Sequence, residues 1–124
     1  MDALKVAELM SDAITGRDLA ALERLFTAET RVWISYDRQE KDRTTALAHL
    51  GGFFEKAAEI RYLDIRRVRT EDGYVQQHVI HVAMKDGSVL EPRPVCIVAK
   101  VADGKVVRID EYLEARRVAA SADV

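Results

Sequence analysis

A chain of 124 residues is expected to form one domain, 1–124, with enough bulk for a core without disulfide staples. Its 48% hydrophobic and 32% charged residues are those of a soluble globular protein, and a formal net charge of -2 removes any global electrostatic case for nucleic acid. The single Cys96 excludes an internal disulfide and fits a reducing compartment. The first residues, MDALKVAELMSD, carry acids early and hold no long apolar run. They read as neither a signal peptide nor a membrane span, so a cytoplasmic location is expected, with no membrane partner.

In chain order, residues 2–15 predict a helix, with Asp2 as N-cap and Gly16 as its stop. Asp18 caps a second helix whose stripe is Leu19, Leu22, Leu25 and Phe26. Thr30 to Tyr36 is β-branched and aromatic, which predicts a strand with Val32, Ile34 and Tyr36 on one face. Asp37 to Arg43 reads as a polar loop. A third helix is expected from Thr44 or Thr45 to about Glu59, with Leu47, Leu50, Phe54 and Ala57 on one side. Gly51-Gly52 inside it suggests close packing.

Four strands follow. Ile60 to Thr70 is the least regular, with Leu63 and Ile65 on one face and Tyr62 and Val68 on the other. Tyr74 to Lys85 sets His78, Ile80 and Val82 against Val79, His81 and Ala83. Val89 to Val101 sets Arg93, Val95 and Ile97 against Pro94, Cys96 and Val98, and its prolines put its start at an edge or bulge. Asp72-Gly73, Asp86-Gly87 and Asp103-Gly104 are the turns between these strands. After the last turn, Val107, Ile109, Glu111 and Leu113 share a face. The final residues, AASADV, are expected to fray. Segregated helices and a strand meander define an α+β fold. The expected form is a cone-shaped α+β barrel, its three N-terminal helices packed in the concave face of a strongly curved, mostly antiparallel sheet.

RDLAALERLFTAETRV and EPRPVCIVAKVADGKVVRIDEYLE, within a match from Leu4 to Glu114, resemble the SnoaL-like branch of the nuclear-transport-factor-2-like superfamily. The resemblance implies a pocket inside a cone and functions that include polyketide cyclases, ketosteroid isomerases, limonene-epoxide hydrolases and non-catalytic binders. The hydrolase pattern implies an acid at Glu111 plus an Arg and an Asp near His78 and Ile80, so its second acid is missing. The ketosteroid isomerase pattern implies a base near Ile34 and a tyrosine near Met10, and neither residue can serve. The cyclase-like class, whose acid–base residues vary, is the one left.

The inward faces are mostly apolar, with ligand-lining positions expected at Ile34, Phe54, Ile80, Val95, Ile97, Ile109 and Leu113. The polar exceptions are Tyr36, His78, Arg93 and Glu111. An apolar cavity with few converging polar groups is the usual small-molecule site. Glu111, between Ile109 and Leu113, is expected to be a desolvated catalytic carboxyl, or else one half of an ion pair with Arg93 or His78. His78 is expected as its acid–base partner or a substrate donor, the alternative being a satisfied core histidine. Tyr36 and Arg93 would position a ligand, Arg93 through an anionic group, unless they are a rim tyrosine and a surface arginine.

His49, His78 and His81 share no ligand spacing, so no metal is expected, and the chemistry requires no cofactor. Cys96 reads as a small buried filler, and the basic run Arg61, Arg66, Arg67, Arg69 as a solvated edge. The expected activity is a cofactor-free cyclisation, isomerisation or hydration of a mostly apolar carbonyl compound. The alternatives are a non-catalytic ligand-binding or dimeric interaction module and a cone filled by its own side chains. Val79, Ala83, Cys96, Val98 and Tyr112 make the outer sheet face apolar enough to predict a homodimer through it.

Overall fold

The computed structural model describes residues 2–119. The elements are α1 (Ala3–Thr15), α2 (Leu19–Leu25), β1 (Phe26–Ile34), β2 (Gln39–Asp42), α3 (Arg43–Lys56), β3 (Ala57–Arg69), β4 (Gly73–Met84), β5 (Arg93–Ala102) and β6 (Lys105–Tyr112). Each helix starts on an aspartate that accepts a backbone N–H: Asp2 from Leu4, Asp18 from Ala21 and Asp42 from Thr45. Of the residues expected to fray at the end, all but Ala119 lie outside the described ones.

The strands form one sheet in the order β2-β1-β6-β5-β4-β3. Four of the neighbouring pairs are antiparallel, while β1 and β6 run parallel, with Val32 opposite Ile109 and Ile34 opposite Glu111. The last strand is therefore central. The fold is α+β, three helices with a six-stranded mixed sheet. Val6 and Met10 of α1, Leu22 of α2, and Ala46, Leu47 and Phe54 of α3 share a core with Val32, Ile60, Ile80, Val82, Val95 and Ile109 of the sheet. One sheet face is thus lined by core residues, as period-two alternation requires.

Several expectations need correction. The polar stretch expected as a loop contains β2, because the 35–38 turn folds it back on β1, where backbone pairing needs no apolar side chains. Lys41 is buried there and reaches Asp37 at 2.7 Å. Phe26 starts β1 instead of ending a helical stripe, and Ala57 starts β3. Tyr36 lies in the turn after β1, 45% exposed, not on a strand face. On the 89–101 stretch the strand proper begins at Arg93; Val89 and Leu90 make only isolated bridges, to Ala83 and Val118.

Two bulges shift the faces. In β6 the pairing slips between Val106 and Arg108, so Val106 is fully buried and Val107 only half-buried, the reverse of simple alternation. In β3 the register slips between Leu63 and Arg66, with Asp64 at φ 57. Tyr62 faces the core before the slip; after it Arg67 turns inward and Val68 is 64% exposed. Arg67 therefore leaves the solvated edge to which its sequence neighbours assign it.

Candidate functional site

Four strands, β3 to β6, bring polar side chains to the core face. His78, in the middle of β4, is 3% exposed and stacks on the Tyr62 ring of β3 with centroids 3.7 Å apart. Its Nδ1 lies 2.9 Å from the Gln76 side-chain nitrogen. The Gln76 Oε1 accepts from Arg67 Nε at 2.8 Å and from Ser11 Oγ at 3.2 Å. Two donors on the oxygen fix the amide so that its NH2 points to His78. Nδ1 is then an acceptor, and the ring proton sits on Nε2. That Nε2–H is buried without a partner. Burial, helped by the Arg67 charge, lowers the His78 pKa to about 4, so the ring is neutral at pH 7 and its Nε2–H is free to donate.

Arg93, at the start of β5, is 5% exposed. Its Nη1 donates to the Glu114 carbonyl at 3.0 Å, and its Nε–H is buried without a partner. Desolvation lowers its pKa, as does the charge of Arg116. Glu111 stands opposite Ile97 of β5 and Ile34 of β1. Ser35 clamps the strand beside it: the Ser35 N–H donates to the Glu111 carbonyl at 2.9 Å, and its hydroxyl joins both the N–H and the carbonyl of Leu113. Burial raises the Glu111 carboxyl to about 7, opposed by the Arg93 charge. Among the described residues no ion pair within 4.0 Å joins it to Arg93 or His78, and the Arg93 charge acts on it from farther off. Its surface is half-buried.

The apolar positions singled out from sequence are together. Phe54, Ile80, Val95 and Ile109 are buried in the core cluster, and Ile34, Ile97 and Leu113 pack against it half-buried. Tyr36 stays at the rim, near enough for its hydroxyl to bear on Arg93. Cys96 is half-buried and faces outward, lining with Asp64, Val79, Pro94 and Tyr112 an external cleft of about 350 Å³. His49 is on exposed α3 surface, and His81 is half-buried on the face opposite His78. Among the described residues no three His, Cys, Asp or Glu side chains cluster as metal ligands, and no helix is long and apolar enough to cross a membrane. The sequence reading missed Gln76, Arg67, Ser11 and Tyr62. Only the place of Gln76 on the same alternating face as His78 could have signalled the network.

This arrangement of helices and sheet is the fold seen in solved proteins described as SnoaL-like, NTF2-like and ketosteroid isomerase-like. Among solved structures, a SnoaL-like protein of Shewanella denitrificans, provisionally described as a polyketide cyclase, is similar at TM-score 0.80 and 12% identity, over 90% of each chain. A Pseudomonas putida protein with the same provisional description matches at TM-score 0.79 and 16% identity, over 90% of this chain and 91% of its own. A ketosteroid isomerase-like protein of Catenulispora acidiphila, in complex with trimethylamine, matches at TM-score 0.77 and 14% identity, over 91% and 88%. No family model and no curated protein sequence matches the chain. At these identities the likeness defines the fold alone.

Proposed function

We propose that the chain binds a small, mostly apolar carbonyl compound within a cone made by the sheet and helices, and moves a proton on it without a cofactor. The observation that carries this reading is a desolvated, unpaired carboxyl on the same face as a neutral imidazole N–H that has no partner. With a pKa of about 7, Glu111 is present in both proton states at neutral pH, which suits a group that takes a proton and returns it. In the forward step the C–H bond beside the carbonyl breaks. The proton goes to Glu111, and the electron pair moves onto the carbonyl oxygen. His78 Nε2–H then donates to that developing oxyanion. Return of the proton to another carbon, or to the oxygen, completes an isomerisation. In this scheme His78 steadies charge instead of carrying the proton, and Ser11, Arg67 and Gln76 keep its tautomer. The provisional cyclase descriptions of the similar structures agree with a reaction of this type. We also propose that two copies pair through the outer sheet face.

The test is hydrogen–deuterium exchange at the carbon beside the carbonyl, followed by NMR on cyclic and linear ketones and oxo acids. Wild type should accelerate exchange for some of them, and Glu111→Gln should lose about 10²- to 10⁴-fold of that acceleration. Exchange that is equally fast in Glu111→Gln would sink the proposal. Binding without exchange would make the chain a ligand-binding module.

A further inference from the structure

The proton-transfer reading leaves Arg93 without a task, yet its buried guanidinium holds an N–H with no partner. The guanidinium is 5% exposed and gives one hydrogen bond, to a backbone carbonyl. No carboxylate among the described residues forms an ion pair with it. The charge that bears on it most is another cation, Arg116, whose guanidinium lies 4.9 Å from the Phe53 ring centre; the Glu111 carboxyl opposes it more weakly, without forming an ion pair. Burying a cation without a counter-charge is costly unless something else supplies the anion.

His78 repeats the pattern beside it. Arg93 pairs with Ile80 and His78 pairs with Val95, so the two are diagonal neighbours on one face of the β4–β5 ladder, roughly 7 Å apart. Each is buried and each holds an N–H with no acceptor. Two such donors, one of them on a cation, fit a ligand with two acceptor sites, one of them an anion. An arginine N–H meets a carboxylate best, through a charge-assisted bond.

We infer that the ligand of this site is an oxo acid, its carboxylate held by Arg93 Nε–H and its carbonyl oxygen by His78 Nε2–H, with an apolar chain against Val95 and Ile97. The position of the carbonyl rests on the proton-transfer reading; the carboxylate on Arg93 stands independently of it. The anion also explains why Arg93 lies inside the fold instead of on its surface.

The probes are 2-oxohexanoate and its neutral counterpart 2-hexanone, titrated into the whole protein labelled with ¹⁵N-arginine. The oxo acid should bind about 10- to 100-fold more tightly than the ketone and should shift the Arg93 Nε–H signal, which the ketone leaves in place. Arg93→Gln should erase the preference, and Glu111→Gln should keep it. Should Arg93→Gln fail to fold, the Arg93 signal in wild type decides alone. Equal affinity for the two probes, an unmoved Arg93 signal, or no binding of the oxo acid at about 10 mM overturns the inference. Preference for the oxo acid without exchange at C3, the carbon beside its ketone, supports the anion site and ends the proton-transfer reading. Exchange of 2-hexanone as fast as that of the oxo acid, with equal affinity for the two, supports proton transfer and ends the anion site.

Discussion

Glu111 and His78 share a face of the sheet, and burial acts on them with opposite sign. Glu111 titrates near 7 in the folded protein against about 4.3 unfolded. The folded state therefore holds the extra proton, and stability falls as pH rises from about 4.3 to 7. His78 titrates near 4 folded against about 6.5 unfolded. There the unfolded state holds the extra proton, and stability rises from pH 4 to about 6.5. The two slopes nearly cancel across the shared window. Asp2, Asp37, Asp42 and Asp86, all lowered by hydrogen bonds, act only at more acid pH. Wild-type melting should thus be almost flat between pH 4.5 and 6.5. Glu111→Gln should uncover the rising histidine slope and gain up to about 3 kcal/mol at pH 8. His78→Gln should uncover the falling carboxyl slope. Thermal melts across that range decide it, and parallel curves for wild type and Glu111→Gln would mean that Glu111 is solvated. The anomaly of Glu111 was legible in the sequence, because an acid between Ile109 and Leu113 breaks a clean alternation. The tautomer of His78 was not, since it depends on Arg67, which turns inward only after the β3 bulge.

Within the elements, α3 carries the most testable weakness. A Cβ built on Gly51 would meet Leu19 Cδ2 at 3.3 Å, whereas one built on Gly52 meets nothing within 4 Å. Only the first glycine answers a packing need. Gly52→Ala should therefore raise stability by about 0.5–1 kcal/mol through helix propensity alone, and Gly51→Ala should gain less because Leu19 must shift. Urea titrations of both variants test this; a Gly52→Ala midpoint below wild type would show that the space is needed. Helix starts were readable because aspartate capping is local, and Xaa-Gly turns fixed the meander for the same reason. Element ends and strand faces were not. A bulge such as that at Asp64 follows from pairing with β4, and β2 follows from the free edge of β1. Neither partner is visible in the local sequence.

For the whole molecule, the outer sheet face remains to be covered. Leu63, Val98 and Tyr112 are each more than a third exposed, and Trp33 packs on Tyr112 at 5.2 Å between ring centres. An apolar sheet face of this kind is expected to meet a second copy. Light scattering at tens of micromolar should give twice the chain mass for wild type and the single mass for Val98→Lys; a wild-type monomer ends the idea. The parallel meeting of β1 with β6 has a different consequence, for the order in which the chain assembles. His78 and Tyr62 lie on adjoining strands of a hairpin, and the imidazole is desolvated once α1 and β5 have packed over that face. Glu111 is enclosed only when β1 docks on β6, closing a loop of some 75 residues at an entropic cost of roughly 4 kcal/mol. Near pH 5.5 folding then releases one proton from the imidazole and captures another at the carboxyl, an exchange that leaves no trace in the net balance.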